Sequence, residues 1–379
     1  MPPRTAGPSV SDPRRHIKVL PERVADVSST DFPGHYPGKE EEHSWDLARF
    51  KKNLQVKVTR LSQRSVEFDL VGVDASIANA IRRILIAEVP TIAIEHVYVW
   101  NNTSVIVDEV LSHRLGLVPL NVDPALLDER DPPPDDQATD RNTIVFRLHV
   151  ACERKKKDSK AKGKGKEPQP VEEQHPDELY VNHEVLSGQL EWVPQGDQAS
   201  YEPFIKKRPA PTNPDIVLAK LRPGQEIEME LHAVKSVGKD HAKFCPVATA
   251  SYRLLPHIIL NPDKPVPPEY AEKFQKCFAP GVIKVDPKTK AVSVDQKNVR
   301  KETMSREVFR HPEFEGCVDL RRVRDYFLFN IESEGAYEPQ RLMHEAVSVM
   351  RSKIATIRRA AEAIRNGASG YEDVVMGDA

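Results

Sequence analysis

Near the end of the chain, Met343, Val347, Met350, Ile354, Ile357, Ala361 and Ile364 recur at intervals of 4, 3, 4, 3, 4 and 3 residues. This heptad seam is sustained over three repeats and predicts one long helix over about 339–365, separated from the preceding strand by Gly335 and Pro339. Arg351, Lys353, Arg358 and Arg359 lie off the seam. A seam this narrow is the kind that meets another helix, and the alternative is packing on the sheet of its own domain. Spacing alone leaves the two open.

A second helix is expected near the start, in "NAIRRILIAEVP" (79–90), capped by Asp74 or Ser76 and stopped by Pro90. Ile77, Ile81, Ile84 and Leu85 form one stripe, while Ile86 and Val89 fall outside it. Apolar groups therefore occupy more than one side, with Arg82 and Arg83 between them. A buried, unpaired arginine costs several kcal/mol. Either both arginines reach solvent beside the stripe, or they fork onto carboxylates or carbonyls of a partner.

The remainder reads as a mixture of strands and helices, giving an α+β fold class. Leu54, Val56 and Val58 alternate, as do Val66, Phe68 and Leu70, and Ser62-Gln63-Arg64-Ser65 turns between them, which predicts a hairpin. "TIAIEHVYVW" (91–100), "TIVFRLHVAC" (143–152) and "YFLFNIE" (326–332) read as strands, and "VIVDEVLSHRLGL" (105–117) as a helix. In "QEIEMELHAV", Ile227, Met229, Leu231 and Ala233 face one way and Glu226, Glu228, Glu230 and His232 the other, the mark of a half-solvated antiparallel strand. Residues 1–45 are Pro-rich and polar and read as a flexible arm. The lysine-rich segment from 153, extending to about 175, reads as a solvated, disordered insertion rather than a nucleic-acid patch, because such blocks self-repel and have nothing to bury. Residues 367–379 form a short acidic tail.

Several function classes are excluded by what the chain carries. Lys plus Arg is 55 against 57 Asp plus Glu, so no global basic field draws in nucleic acid. Cys152, Cys245, Cys277 and Cys317 form no CxxC pair, which argues against a zinc ribbon or iron–sulfur centre and for reduced thiols. No secretory leader and no run of eighteen apolar residues is recognised, so no membrane span is expected; the sequons within Asn101-Asn102-Thr103-Ser104 then carry little meaning. No GxSxG, HExxH, GxGxxG, P-loop or DxD pattern occurs. Glu109 with His113, Asp108 with Ser112, and His241 with Cys245 stand at i, i+4, a spacing that more often stabilises a helix surface than holds a metal. The expectation is no catalytic residue, no metal and no cofactor.

"NAIRRILIAEVPTIAIEHVYVWNNTSVIVDEVLSHRLGLVPL" (79–120), "GKDHAKFCPVATASYRLLP" (238–256) and "YFLFNIESEGAYEPQRLMHEAVSVM" (326–350) closely resemble, in order, the signature blocks of the α-like subunits of cellular RNA polymerases. The resemblance covers about residues 46–365. Within that family the pattern is most like the larger α-like subunit shared by polymerases I and III. The polymerase II type carries a cysteine-rich zinc loop in its second domain and some archaeal members carry iron–sulfur cysteines, and neither is present. The arm and the Lys-rich insertion depart from the family.

The resemblance implies a two-domain fold. A discontinuous dimerisation domain, an antiparallel sheet plus two helices, comes from 46–90 and 300–366; a β-rich domain, 91–299, is inserted. It implies a non-catalytic assembly subunit that pairs with the smaller α-like subunit through Ile81, Ile84 and Leu85 together with Met343, Val347, Met350, Ile354 and Ile357. It implies that the second-largest subunit docks on Asn79, Arg82 and Arg83. Small zinc-binding polymerase subunits would be neighbours, DNA would be met only through the complex, and the location would be the nucleus, including the nucleolus. The alternatives are a polymerase II-type subunit or a free nucleic-acid-binding protein.

Overall fold

A computed structural model describes residues 16–27, 47–130, 137–155 and 179–365. Most of the predicted arm, nearly all of the Lys-rich insertion and the whole acidic tail lie outside these residues. In chain order the principal elements are β1 (His16–Val19), β2 (Val24–Ala25), α1 (Leu47–Asn53), β3 (Gln55–Leu61), β4 (Ser65–Val71) and α2 (Ala75–Ala87). There follow β5 (Pro90–Asn102), α3 (Asp108–Gly116), β6 (Thr143–Ala151), β7 (Glu191–Val193) and β8 (Glu226–Val237). The last are β9 (Val247–Leu260), β10 (Val318–Ser333) and α4 (Pro339–Arg365). The mixture is α+β with antiparallel sheets, as expected.

Two compact units are formed: 1–61, 66–82 and 250–331 in the first, and 62–65, 83–249 and 332–379 in the second. The family-based boundaries stand elsewhere, at 90 and 300.

The first unit holds a six-stranded sheet of order β2-β1-β10-β4-β3, with β9 pairing β10 off that path. Its presence corrects one expectation. Residues 16–19 are a strand, not arm, registered from His16 opposite Val323 to Val19 opposite Leu320. His16 and Val19 are buried, at 4% and 2% exposure. Four residues are too few to show a period, and their partner lies some 300 positions away. The β3–β4 hairpin is as predicted, its turn closed by Ser65 N donating to Ser62 Oγ at 3.0 Å. Behind it Gly72 has φ +83°, and a Cβ there would lie 2.4 Å from the Asn53 carbonyl oxygen, so no side chain fits. Val66, Phe68 and Leu70 are buried, and Phe68 stacks on Phe329 at 5.1 Å between ring centroids. Asp69, on the opposite face of β4, is also buried; it accepts hydrogen bonds from Arg300 Nη2 at 2.8 Å and from Tyr326 Oη at 2.9 Å.

The second unit is built on a four-stranded antiparallel sheet of order β7-β6-β8-β5. Strand β8 alternates as its sequence predicted, with Ile227, Met229, Leu231 and Ala233 all at 0% exposure. These join Ile144, Phe146 and Leu148 of β6 and Leu111 and Leu115 of α3 in one core. Asp108 and Glu109 open α3 and His113 and Arg114 close it, which matches the sign of the helix dipole at both ends.

Candidate partner-binding surface

Helix α4 has 27 residues, and its buried positions are Pro339, Leu342 and Ala346, all near its start. Leu342 and Ala346 are at 0% exposure. The start is pinned within the second unit. Arg341 reaches Asp123 at 2.5 Å and Glu345 at 2.8 Å, and its guanidinium lies 5.1 Å from the Tyr337 ring centroid. Tyr337 Oη donates to the Pro90 carbonyl at 2.9 Å, and burial pushes its phenol well above the usual range. Farther along, Lys353 Nζ lies 2.8 Å from both carboxylate oxygens of Glu88.

The seam lies on another side of this helix. Val347 is 39% exposed, Ile354 58%, Ile357 69% and Ile364 68%. Met343 and Met350 are half-buried. Of the two readings the spacing left open, packing on the chain's own sheet is not what the structure has for the distal seam. Four branched aliphatics in heptad spacing stand in solvent.

Helix α2 behaves differently. Ile81 is 5% exposed, Ile84 4% and Leu85 0%. The expectation that these three touch a partner is therefore corrected: they are core residues of this chain, already removed from water. A period of 3.6 identifies the apolar side of a helix but not what covers it. Asn79, Arg82 and Arg83 are placed as outward-facing groups. Asn79 and Arg82 are half-buried, and Arg82 donates to Asn79 Oδ1 from Nε at 3.1 Å and from Nη2 at 2.9 Å. Arg83 is exposed. Asn79 thus holds one guanidinium against the helix while its neighbour stands in solvent.

Sequence reading saw the alternation in β3 but not its outcome. Val56, Val58 and Leu61 pair with Leu70, Phe68 and Val66 of β4 and share their face, yet they are 58%, 61% and 55% exposed. The residues weighed as metal donors do not assemble as weighed. His113 and His241 approach, at 6.4 Å between ring centroids, but His241 Nδ1 accepts the Lys243 amide. The one possible donor trio among the described residues is His149, Glu226 and Glu228, which no sequence spacing revealed because it forms across β6 and β8. Its members are already engaged: His149 with Glu226 at 2.7 Å, and Glu228 with Arg147 at 2.5 Å.

Comparison with known proteins bears on these surfaces. A family model described as the RNA polymerase Rpb3/Rpb11 dimerisation domain matches residues 67–354. The human protein called DNA-directed RNA polymerases I and III subunit RPAC1 is 45% identical over 348 residues, covering 92% of this chain and 95% of that one. The Saccharomyces cerevisiae protein of the same name is 47% identical over 333 residues, covering 87% and 94%. The Dictyostelium discoideum protein called DNA-directed RNA polymerase II subunit rpb3 is 28% identical over 323 residues, covering 83% and 97%.

Proposed function

The chain belongs to the RNA polymerase Rpb3/Rpb11 dimerisation family, and from that premise we propose that it is a non-catalytic assembly subunit of nuclear RNA polymerases I and III. The gap between 35–47% identity to the I/III-type relatives and 28% to the II-type relative supports the choice of polymerase. In this reading the chain serves synthesis of ribosomal, 5S and transfer RNA, resides in the nucleus including the nucleolus, and meets DNA only through the complex. The nucleotide chemistry is left to other subunits.

The exposed seam of α4 carries the dimerisation part. Met343, Val347, Met350, Ile354 and Ile357 receive the smaller α-like subunit, and Ile364 extends the same line. Asn79, Arg82 and Arg83 form charge-assisted contacts with the second-largest subunit. Residues 46–90 and 300–366 act together as the dimerisation domain, 91–299 as the inserted one, and small zinc-binding subunits are further neighbours. The test is to purify the tagged chain from its own cells at moderate salt. Recovery of a smaller α-like subunit with the large subunits of both polymerases I and III is expected; recovery with polymerase II alone, or with nothing, refutes the assignment. Substituting Arg82 and Arg83 should then release the second-largest subunit while the α-like partner stays.

A further inference from the structure

Strand β1 is four residues long, and side chains on its two faces add to its ladder with β10. On one face Val19, 2% exposed, shares a core cluster with Ile258 of β9 and Leu320 of β10. On the other face His16, 4% exposed, meets His257 of β9. The two imidazole centroids are 4.7 Å apart, and the two Nδ1 atoms lie 3.3 Å from one another. A strand near the start of the described chain is thus fastened by a pair of titratable rings.

Two imidazoles share such a contact while one nitrogen donates and the other accepts. The neutral pair does this. One added proton goes to the outward nitrogen of the donating ring and leaves the shared bond in place. A second added proton puts N–H on both facing nitrogens, so two donors and two positive charges stand face to face. The surroundings add cations rather than relief. Lys18 follows on the same face of β1 and lies opposite Arg321 of β10 in register. Asp319 of β10 is the nearby acid, and it is engaged: Oδ2 accepts from Arg321 Nε at 2.8 Å and Nη2 at 2.5 Å, and Oδ1 lies 4.0 Å from Lys18 Nζ. Asp325 is the next ionisable residue along that face of β10. On β9, Arg253 is committed to the Glu302 carbonyl at 3.1 Å and to that of Arg300. Strand β2, on the other side of β1, is Val24–Ala25 and brings no ionisable side chain. Burial first, and then the charges of His16 and Arg321, hold the His257 imidazole below its ordinary value, with Asp319 pulling the other way.

We propose that the His16–His257 contact is an acid-sensitive latch on strand β1: it survives one added proton and opens at the second, releasing β1 and β2 from the end of the sheet while β10 stays in place. The pair titrates as a unit. The released strand takes up a proton that the latched pair refuses, so the latch holds in full above about pH 6.5, the ordinary value for histidine, and weakens as pH falls below it. Because β2 and β1 are the last two strands on their side of the sheet, they can leave as one hairpin by local opening. The latch does not depend on which assembly the chain joins.

The test is hydrogen exchange on the full chain, read by mass spectrometry as protection factors at about pH 7.5 and about pH 5, either side of histidine titration. Residues 16–25 should lose at least ~10-fold of their protection at the lower pH, while 326–332 keep theirs. Equal protection of 16–25 at both pH values overturns the proposal, and so does a parallel loss over 326–332. His257→Gln retains a hydrogen-bonding side chain that cannot gain a proton, and it should abolish the pH difference; a difference as large as the native chain's refutes the latch. If that variant leaves β1 unprotected at both pH values, Lys18→Met decides. It removes a cation from the same face while keeping both rings, so at low salt it should move the midpoint of the loss to lower pH. An unmoved midpoint refutes the latch.

Discussion

Asp69 is 3% exposed at its side chain and lies between Arg300 and Tyr326. A charge so placed is tolerated only while both partners remain. Arg300→Ala strands it and should cost about 3 kcal/mol, read as a lowered denaturation midpoint. Tyr326 offers a second handle. Burial first, and then the hydrogen bond to Asp69, push its phenol from 10 up to about 12. The folded chain thus holds that proton more tightly than the unfolded chain does. Its contribution to stability is whole below pH 10 and is lost as pH rises from 10 towards about 12. Tyr326→Phe should remove that alkaline component from a stability-versus-pH curve; an unchanged slope over this window would show that Tyr326 is not its source.

At the scale of the element, α4 divides into a part the chain needs and a part it presents. Leu342→Ala, at a fully buried position, should cost about 2–5 kcal/mol of the chain's own stability. Ile357→Asp, at a position 69% exposed, should leave the melting temperature nearly unchanged and weaken binding of the α-like partner at least ~100-fold by titration calorimetry. If both variants lose stability alike, the seam is core after all. Legibility followed the same line. The alternation of β8 and the heptad of α4 could be read because each is a local period longer than two repeats. What the period could not supply was the cover. Ile81, Ile84 and Leu85 looked like a partner face and are buried; Val56 and Val58 looked like an ordinary hairpin face and are bare. Strand β1 escaped notice because it is four residues long and its main pairing is with β10, almost the whole chain away. The trio of His149, Glu226 and Glu228 was hidden for the same reason, since sheet register rather than sequence spacing brings it together.

At the scale of the molecule, branched aliphatics stand in water along the α4 seam and on strand β3. A chain so furnished should self-associate when purified alone, and less so once the proposed α-like partner covers the seam; a monodisperse monomer at high concentration would contradict this. The distribution of burial along α4 has a further consequence. No position of that helix after Ala346 is fully buried, and its later turns rest mainly on their own backbone bonds, half-buried contacts such as Met350 and the ion pairs Lys353–Glu88 and Arg358–Glu362. Short of a partner, they open at small cost and can be cut. The helix end should therefore be the first part of the chain that a protease trims, and a bound partner should slow that cleavage.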